Sequence, residues 1–287
     1  MSENVDIVRS KAELRARVRY WRDQGLSVAF VPTMGALHDG HLTLVRTGLE
    51  LADRVVASVF VNPTQFGAGE DFSRYPRQEE QDAALLSEAG CHLLYAPEVT
   101  EMYPDGFSTS IHVSGVSDGL CGDVRPGHFD GVATVVTKLL LQVQPHLALF
   151  GEKDWQQLAV IRRLVRDLDI PVEVVGVPTV REFDGLARSS RNAYLSAEER
   201  GVAPVLYKVL SDIADGLRRG GEPASLCAAG RDAILAAGFA SVDYLEVRGA
   251  DSLMPLERLD RPARILVAAR LKGVRLIDNL GVDPAHA

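Results

Sequence analysis

The stretch VAFVPTMGALHDGHLTLVRTGLELA, residues 28–52, decides the fold because it joins a strand pattern directly to a helix pattern. Val28–Val31 is a continuous apolar run, which predicts a strand buried on both faces. From Asp39 to Ala52 the apolar residues return at helical spacing. A buried strand followed at once by such a helix is the repeating unit of parallel α/β proteins.

The same alternation extends outward from this stretch. Further strands are predicted at 55–61, 92–95, 147–150 and 172–177, and helices at 10–25, 78–90, 132–143 and 158–168. After Pro178 the order changes to a long helix that begins at Ser196, a second helix from Pro223, and three short strands at 242–247, 265–269 and 274–277. We expect residues 1–179 to form a Rossmann-like parallel sheet with helices on both faces, and residues 180–287 to form a smaller α+β lid domain.

Composition excludes several functional classes. The 287 residues are 46% hydrophobic and 24% charged, as in a globular protein, and the net charge of −8 argues against a nucleic-acid interface. Cys91, Cys121 and Cys227 lack metal-ligand spacing and predict reduced thiols in a cytoplasmic protein. The most apolar segment, Val132–Phe150, contains Lys138 and Pro145, which excludes a membrane span there.

The first candidate site is the junction between the strand and the helix of residues 28–52. Ligands of open α/β sheets bind at the carboxyl ends of strands, and Gly35 and Gly40 allow close approach of the backbone. His38 and His41 flank the helix N-terminus, where free N–H groups favour a phosphate. Zinc is the alternative ligand, although the spacing differs from an i,i+4 pair and no third ligand is evident.

Uncharged amides and one arginine form the second candidate group. Asn62 and Gln65 in FVNPTQF can bind hydroxyls and a carboxylate, although this segment taken alone is better explained as a polar turn around Pro63. Arg125 precedes Pro-Gly, so its guanidinium is expected on a stiff turn where it could bind a carboxylate or a phosphate. A solvent-exposed surface arginine is an equally good interpretation of this position. Gln157 lies in the first turn of a predicted helix and is expected to face the same crevice.

Further cations predict phosphate binding without a Walker A sequence. Lys153 in FGEKDWQQL follows a strand end, and Asp154 is the expected N-cap of the next helix. Ser189, Ser190 and Arg191 lie between the predicted domains, where a hinge could close over a pyrophosphate. No Ser-His-Asp order predicts a side-chain nucleophile.

These segments together resemble the pantothenate synthetase (pantoate–β-alanine ligase) family, a member of the HxGH nucleotidylyltransferases. The resemblance rests on PTMGALHDGH, FVNPTQF, RYPR, RPGHFDGV, FGEKDWQQL and GVPTVREFDGLARSSRN in this order, and extends through VDYLEVR and ILVAARLKGVRLIDN. It implies a cytoplasmic, homodimeric ligase. Pantoate would react with ATP to give pantoyl adenylate and pyrophosphate, and β-alanine would then release pantothenate and AMP.

The resemblance also implies roles for individual residues. His41 would act as the proton donor, with His38, Lys153 and Arg191 as further catalytic groups. The residues implied to bind ATP, together with Mg²⁺ held mainly by its phosphates, are Pro32, Thr33, Met34, Gly35, His38, Gly40, His41, Gly151, Glu152, Lys153, Asp154, Val180, Arg188, Ser189, Ser190 and Arg191. Those implied to bind pantoate or β-alanine are Gln65, Gln157, Asn62 and Arg125.

The chain departs from the family pattern at two positions. Arg188 stands where an apolar residue usually precedes Ser-Ser-Arg, and Cys121 replaces a usual glutamate. Two other functions stay open at this point. A nucleotidylyltransferase that transfers a nucleotide to a phosphorylated acceptor would use the same histidine pair but would give Gln65 and Gln157 no task. A nucleotide-binding regulatory module without turnover would not need His41, Lys153 and Arg191.

Overall fold

The computed structural model describes residues 5–284, so the ends of both predicted domains, 1–4 and 285–287, lie outside the described residues. The chain divides into two compact units. The first comprises residues up to Asp118 together with Arg125–Glu152 and Gln157–Pro178, and the second comprises Gly119–Val124, Lys153–Gln156 and the residues from Thr179 onward. Each unit is described separately below.

A six-stranded parallel sheet forms the centre of the first unit. Its strands are β1 (Asp6–Val8), β2 (Val28–Thr33), β3 (Arg54–Val59), β4 (Leu93–Tyr95), β5 (Leu147–Gly151) and β6 (Glu173–Val177). They lie in the order β1-β4-β3-β2-β5-β6. The five strands expected from the apolar runs are confirmed, whereas β1 was missed because a three-residue edge strand has no detectable period.

Helices follow most of these strands. They are α1 (Lys11–Asp23), α2 (Asp39–Leu51), α3 (Glu79–Glu88), α4 (Val99–Met102), α6 (His128–Val143) and α7 (Trp155–Asp167), while α5 (Cys121–Val124) belongs to the second unit. Ser10 and Glu13 form the predicted capping box at the start of α1. The four-residue helices α4 and α5 were not predicted, since they are too short for a helical period.

Both faces of the parallel sheet are buried. Ala29 and Val31 of β2 pack in one apolar cluster with residues of α2 and α3. Val28 and Phe30 alternate with them and therefore point to the opposite face, where they are also fully buried. The predicted Rossmann-like sheet covered on both faces is confirmed, and its continuous apolar strands reflect this double burial.

The second unit contains a three-stranded antiparallel sheet formed by β7 (Ser241–Gly249), β8 (Ala263–Leu271) and β9 (Val274–Val282). Its other helices are α8 (Ala197–Val202), α9 (Val205–Arg218) and α10 (Pro223–Ala236). One apolar core joins α9 and α10 to this sheet, which confirms the smaller α+β fold.

The long helix predicted after Ser196 is wrong in one respect. Ser196 and Glu199 do form a capping box, but the segment is divided into α8 and α9. Pro204 lies at the interruption and supplies no backbone N–H, so the first helix cannot continue through it. Within residues 5–284 no helix has both the length and the apolar character needed to cross a membrane.

Candidate active site

The loop after β2 lies at the point where the strand order of the sheet reverses. The chain proceeds from β2 to β3 and β4 on one side, and β5 pairs with the other side of β2. Such a switch point opens a crevice between neighbouring carboxyl ends, which is where open α/β sheets bind ligands. The sequence 34–41, which contains both histidines, begins at this crevice.

Asp82 of α3 fixes the conformation of this loop. Its fully buried carboxylate accepts hydrogen bonds from the backbone N–H groups of Ala36 and Leu37, at 3.0 and 2.8 Å. Gly35 and Ala36 have φ angles of 78° and 51°, a left-handed conformation that is strained for alanine. Burial raises the pKa of Asp82, while the two backbone donors oppose that shift. The carboxylate therefore offsets the strain of the loop.

His38 and His41 cap α2 reciprocally. The Nδ1 atom of His38 accepts from the N–H of Gly40 at 3.1 Å, and the Nδ1 atom of His41 accepts from the N–H of His38 at 3.4 Å. The ring centroids are 4.1 Å apart. A nitrogen that accepts a hydrogen bond carries no proton, so each neutral ring carries its proton on Nε2. The pair can thus supply N–H donors beside a helix N-terminus, an arrangement suited to phosphate.

Asn62 and Gln65 form a buried amide pair after β3. The Nδ2 of Asn62 donates to Oε1 of Gln65 at 3.0 Å, and the hydroxyl of Tyr103 donates to Oδ1 of Asn62 at 2.8 Å. The Nε2 of Gln65 lies 3.1 Å from the Sδ of Met34, in the histidine loop. These contacts fix the orientation of both amides, and they connect the predicted acid-binding residues with the predicted ATP-binding loop.

Helix α6 approaches this amide pair closely because residue 131 is glycine. A Cβ at Gly131 would lie 2.4 Å from the carbonyl oxygen of Thr64 and 2.7 Å from the Cα of Gln65. The carbonyl oxygen of Gly131 also accepts a hydrogen bond from Asn62 at 3.2 Å. The backbone of α6 therefore forms part of the wall that supports Asn62 and Gln65.

Arg125 is held by an acidic partner and in turn holds Gln65. Its guanidinium forms a bidentate pair with Glu70 at 2.7 and 2.6 Å, and its Nη2 donates to the carbonyl oxygen of Gln65 at 3.4 Å. Its Nη1 donates to Nε2 of His128 at 3.0 Å, so Nδ1 of His128 carries the proton and donates to the same carbonyl at 2.9 Å. The hydrogen bonds from Arg125 lower the pKa of Glu70 from 4.5 to about 2.

In the second unit, the turn after β5 is fixed by backbone contacts. The carbonyl oxygen of Lys153 accepts a hydrogen bond from Nδ2 of Asn279 at 2.9 Å. The Nζ of Lys153 lies 3.8 Å from the carboxylate of Asp154, a long and weak ion pair. The Nε1 of Trp155 donates to the carbonyl oxygen of Ala250 at 3.0 Å. The lysine thus projects from a turn whose backbone is held.

The serine-rich loop follows a short hairpin. Arg181 pairs with Ala187 across it, and the N–H of Arg188 donates to the carbonyl oxygen of Val180 at 2.9 Å. Arg188 also forms an ion pair with Glu182 at 3.2 Å. Ser189 caps the turn Ser190–Tyr194 by accepting from the N–H of Arg191 at 3.3 Å. The hairpin therefore leads directly into the predicted phosphate-binding residues.

The predicted residues are distributed over both units. The first unit brings Met34, Asn62, Gln65 and Arg125 into one network, and places His38 against His41. Three further predicted residues of this unit, Gly151, Glu152 and Gln157, are half-buried at the end of β5 and in α7. The second unit holds Lys153, Asp154, Val180 and residues 188–191.

Sequence reasoning missed the residues that support these groups. Glu70, Asp82, Tyr103 and His128 each bond to a predicted site residue or its loop. The sequence offered one sign that Asp82 has another role. Three acidic residues, Glu79, Glu80 and Asp82, lie in the first turn of α3, and none of them is the N-cap. No spacing rule connects such residues with loops 45 positions away.

The described residues contain no cluster of side chains that could bind a metal ion by themselves. Within residues 5–284, no three His, Cys, Asp or Glu side chains lie close enough together to hold a metal ion. The three cysteines form no disulfide. Cys121 is buried, with its Sγ 3.1 Å from the Tyr244 hydroxyl.

Comparison with known proteins supplies the family. A family model described as pantoate-beta-alanine ligase matches residues 6–281. The chain belongs to the pantoate–β-alanine ligase family. The resemblance found in the sequence motifs is thereby confirmed.

Relatives agree along almost the full length of the chain. The pantothenate synthetase of Paramagnetospirillum magneticum is 71% identical over 284 residues, which cover 99% of this chain and 100% of that protein. The crystal structure of pantothenate synthetase from Thermus thermophilus has a TM-score of 0.91 at 54% identity and covers 98% of this chain and 100% of that one. The pantoate-beta-alanine ligase of Francisella tularensis, complexed with beta-gamma ATP and beta-alanine, has a TM-score of 0.82 at 33% identity, with 96% and 97% covered.

Proposed function

We propose that this chain condenses pantoate with β-alanine at the expense of ATP, through a pantoyl-adenylate intermediate. A carboxylate oxygen of pantoate attacks the α-phosphorus of ATP, and pyrophosphate leaves. The amine of β-alanine then attacks the acyl carbon, loses a proton, and expels AMP. Neither step needs a side-chain nucleophile, so the reaction depends on charge stabilisation and on the orientation of the reactants.

One observation carries this proposal above the others. The buried amide of Gln65 contacts Met34, which lies in the same loop as the capping histidines, and the amide of Asn62 is hydrogen-bonded to Gln65. Amides bind hydroxyl and carboxylate groups without neutralising the carboxylate, which must remain nucleophilic. A nucleotidylyltransferase for a phosphorylated acceptor would instead favour cations at this position.

In the first unit, we assign ATP to the histidine loop and the end of β5. His41 and His38 donate Nε2–H groups to phosphate oxygens, with His41 as the proton donor, and the backbone of residues 32–40 borders the nucleotide together with Gly151 and Glu152. Gln65, Gln157 and Asn62 bind pantoate or β-alanine. Arg125 is a further substrate contact in this proposal, although it also supports Gln65 through its pair with Glu70.

In the second unit, we assign the phosphates to cations and hydroxyls. Lys153 and Arg191 stabilise charge on the leaving pyrophosphate, and Ser189 and Ser190 donate hydroxyl hydrogen bonds to it. Arg188 and Asp154 border the same phosphates, and Val180 contacts the adenine. The two predicted domains, residues 1–179 and 180–287, are proposed as the substrate-binding domain and its lid.

The substrate is proposed to be Mg·ATP, in which phosphate and water oxygens supply most ligands of the ion, as Mg²⁺ prefers. We also propose a homodimer in the cytoplasm. Sedimentation velocity of the purified chain tests the dimer, which is contradicted by a single species of about 31.1 kDa.

Exchange between ATP and labelled pyrophosphate tests the proposed reaction. Pantoate alone should start this exchange, because adenylation precedes the amine, whereas release of AMP should require β-alanine as well. His41→Ala should retain the fold and lower the exchange rate by orders of magnitude, since a proton-donating group contributes roughly 10²–10⁴-fold. An exchange rate that pantoate does not change, or wild-type rates in His41→Ala, would contradict the proposal.

A further inference from the structure

Two consecutive residues of β9, Asp278 and Asn279, contact the turn that carries Lys153 and the hairpin that leads into Ser189–Arg191, the two segments that the proposed function assigns to the phosphates. We infer that they are positioning residues: Asn279 fixes the turn that carries Lys153, and Asp278 fixes the loop that carries Ser189, Ser190 and Arg191. This inference rests on the proposed function and adds to it the means by which two distant segments are held in fixed positions.

Asn279 holds the lysine turn through its side chain. It is 2% exposed, its Nδ2 donates to the carbonyl oxygen of Lys153 at 2.9 Å, and its Oδ1 accepts from Nη1 of Arg264 at 3.0 Å. The guanidinium of Arg264 lies 3.5 Å from the ring centroid of Trp155, and the indole N–H of Trp155 bonds to Ala250. The turn 153–155 is therefore held by a hydrogen bond on its backbone and by stacking on its aromatic side chain.

Asp278 holds the other segment through Arg181. The carboxylate is 5% exposed and accepts both Nη1 and Nη2 of Arg181, at 2.7 and 2.9 Å. The same guanidinium donates to the carbonyl oxygens of Gly185 and Asn279, at 2.9 and 3.0 Å, and its carbon lies 4.0 Å from the ring centroid of Tyr207. One arginine thus makes four hydrogen bonds and a cation–π contact, an arrangement that fixes its position closely.

The hairpin conveys this fixed position to the loop. Arg181 pairs with Ala187, which lies two residues before Ser189. The Nδ2 of Asn192 donates to the carbonyl oxygen of Ala187 at 3.0 Å, so the turn Ser190–Tyr194 is tied back to the same hairpin. This turn also lies beside β9 itself. Movement of the Arg181 guanidinium would therefore move the serines and Arg191.

Asp278 and Asn279 have polar side chains that hydrogen-bond to other segments, and packing of the core alone would not require polar residues at these two positions. Apolar side chains would fill the space at lower desolvation cost, since a buried ion pair is often no more stable than a hydrophobic replacement. An asparagine can donate to a carbonyl oxygen and accept from a guanidinium at once, which an aspartate cannot do. Alternate side chains of a strand point to opposite faces, so neighbouring residues reach different segments.

The test uses the full chain and a double-mutant cycle. Asn279→Asp keeps the size and the bond to Arg264 but loses the N–H that Lys153 accepts. The measurements are KM for ATP, KM for β-alanine, and the dissociation constant of a non-hydrolysable ATP analogue by calorimetry, in Asn279→Asp, Lys153→Ala and the double variant. Asp243→Asn is the matched control, because Asp243 forms a comparable ion pair with Arg275 in the same sheet.

We expect Asn279→Asp to raise the dissociation constant and KM for ATP about tenfold, within the range measured for coupled contacting groups, and to leave KM for β-alanine unchanged. In the Lys153→Ala background, Asn279→Asp should cause little further increase in the dissociation constant or in KM for ATP. Asp243→Asn should alter neither constant. Multiplicative effects of the two substitutions would show that Asn279 acts independently of Lys153 and would overturn the inference.

A second cycle covers the possibility that Asn279→Asp does not fold. Here Asp278→Asn is combined with Arg191→Ala, and the dissociation constant of the same ATP analogue is measured. We expect the effects of the two substitutions on the binding free energy to be non-additive. Additive effects would overturn the inference. The proposed function fails separately: it is contradicted if Lys153→Ala and Arg191→Ala each leave analogue binding at the wild-type level. If those two variants weaken binding while the β9 variants do not, the proposed function stands and the positioning roles fall.

Discussion

Single residues that contact no substrate in our proposal decide the shape of the site. Asp82 holds a strained loop by accepting two backbone N–H groups, and Glu70 holds Arg125 by a bidentate pair. Both are carboxylates whose hydrogen bonds replace water lost on burial. Removing either leaves buried donors unsatisfied, which costs more than the bond itself contributes.

Asp82→Asn should destabilise the protein and weaken ATP binding. The amide retains one acceptor oxygen but directs an NH₂ group at a backbone N–H, so we expect a loss of about 2–3 kcal/mol in the free energy of unfolding. Urea denaturation measures the loss, and calorimetry with an ATP analogue measures the binding. Glu80→Gln, an exposed change on the same helix, is the control. Equal stabilities of the two variants would show that Asp82 does not hold the loop.

Glu70→Gln should reveal a pH-dependent contribution. The pKa of Glu70 is lowered from 4.5 to about 2 in the folded protein, so its pair with Arg125 contributes fully above pH 4.5 and is lost as the pH falls towards 2. We expect the free energy of unfolding of the wild-type protein to exceed that of Glu70→Gln by roughly 1–3 kcal/mol at pH 7. Urea titrations between pH 7 and 3 should show this difference shrinking. A difference that stays constant over that range would rule out the ion pair as its source.

At the scale of elements, the position of helix α6 depends on one glycine. Gly131→Ala would put a Cβ against the backbone of Thr64 and Gln65, so the helix or the amide pair must shift. We expect a loss of about 1–3 kcal/mol in stability and a higher KM for pantoate. Gly201→Ala, a helical position with nothing within 4 Å of the added Cβ, is the control and should not lower stability. An unchanged KM in Gly131→Ala would argue against Gln65 as a substrate contact.

The elements also show what sequence can predict. Strands β2 to β5 are continuous apolar runs and were predictable because burial on both faces removes any alternation. The edge strand β6 is only partly buried, but its valines still formed a recognisable apolar run. The capping boxes at Ser10 and Ser196 were predictable because their partners lie three residues away. Asp82 and Asn279 were not, because their partners lie 45 and 126 residues away along the chain. Local chemistry is readable from a sequence, whereas contacts made by tertiary folding are not.

At the scale of the whole molecule, an acidic chain is proposed to bind anionic substrates. Its net charge of −8 is unfavourable for ATP at long range, so binding must depend on local donors. The loop 34–41 with its two histidines, the turn 153–155 with Lys153, and the loop 189–191 with its two serines and Arg191 each supply such donors from a fixed backbone. We therefore attribute function to local geometry and regard the overall charge as a determinant of solubility.

The central claim is that a carboxylate oxygen of pantoate attacks the α-phosphorus of ATP. Its most direct test is a single-turnover reaction with pantoate labelled by ¹⁸O in both carboxylate oxygens, followed by mass spectrometry of the products. The account predicts one ¹⁸O atom in AMP, none in pyrophosphate and one in pantothenate. Unlabelled AMP, or label in pyrophosphate or inorganic phosphate, would contradict it.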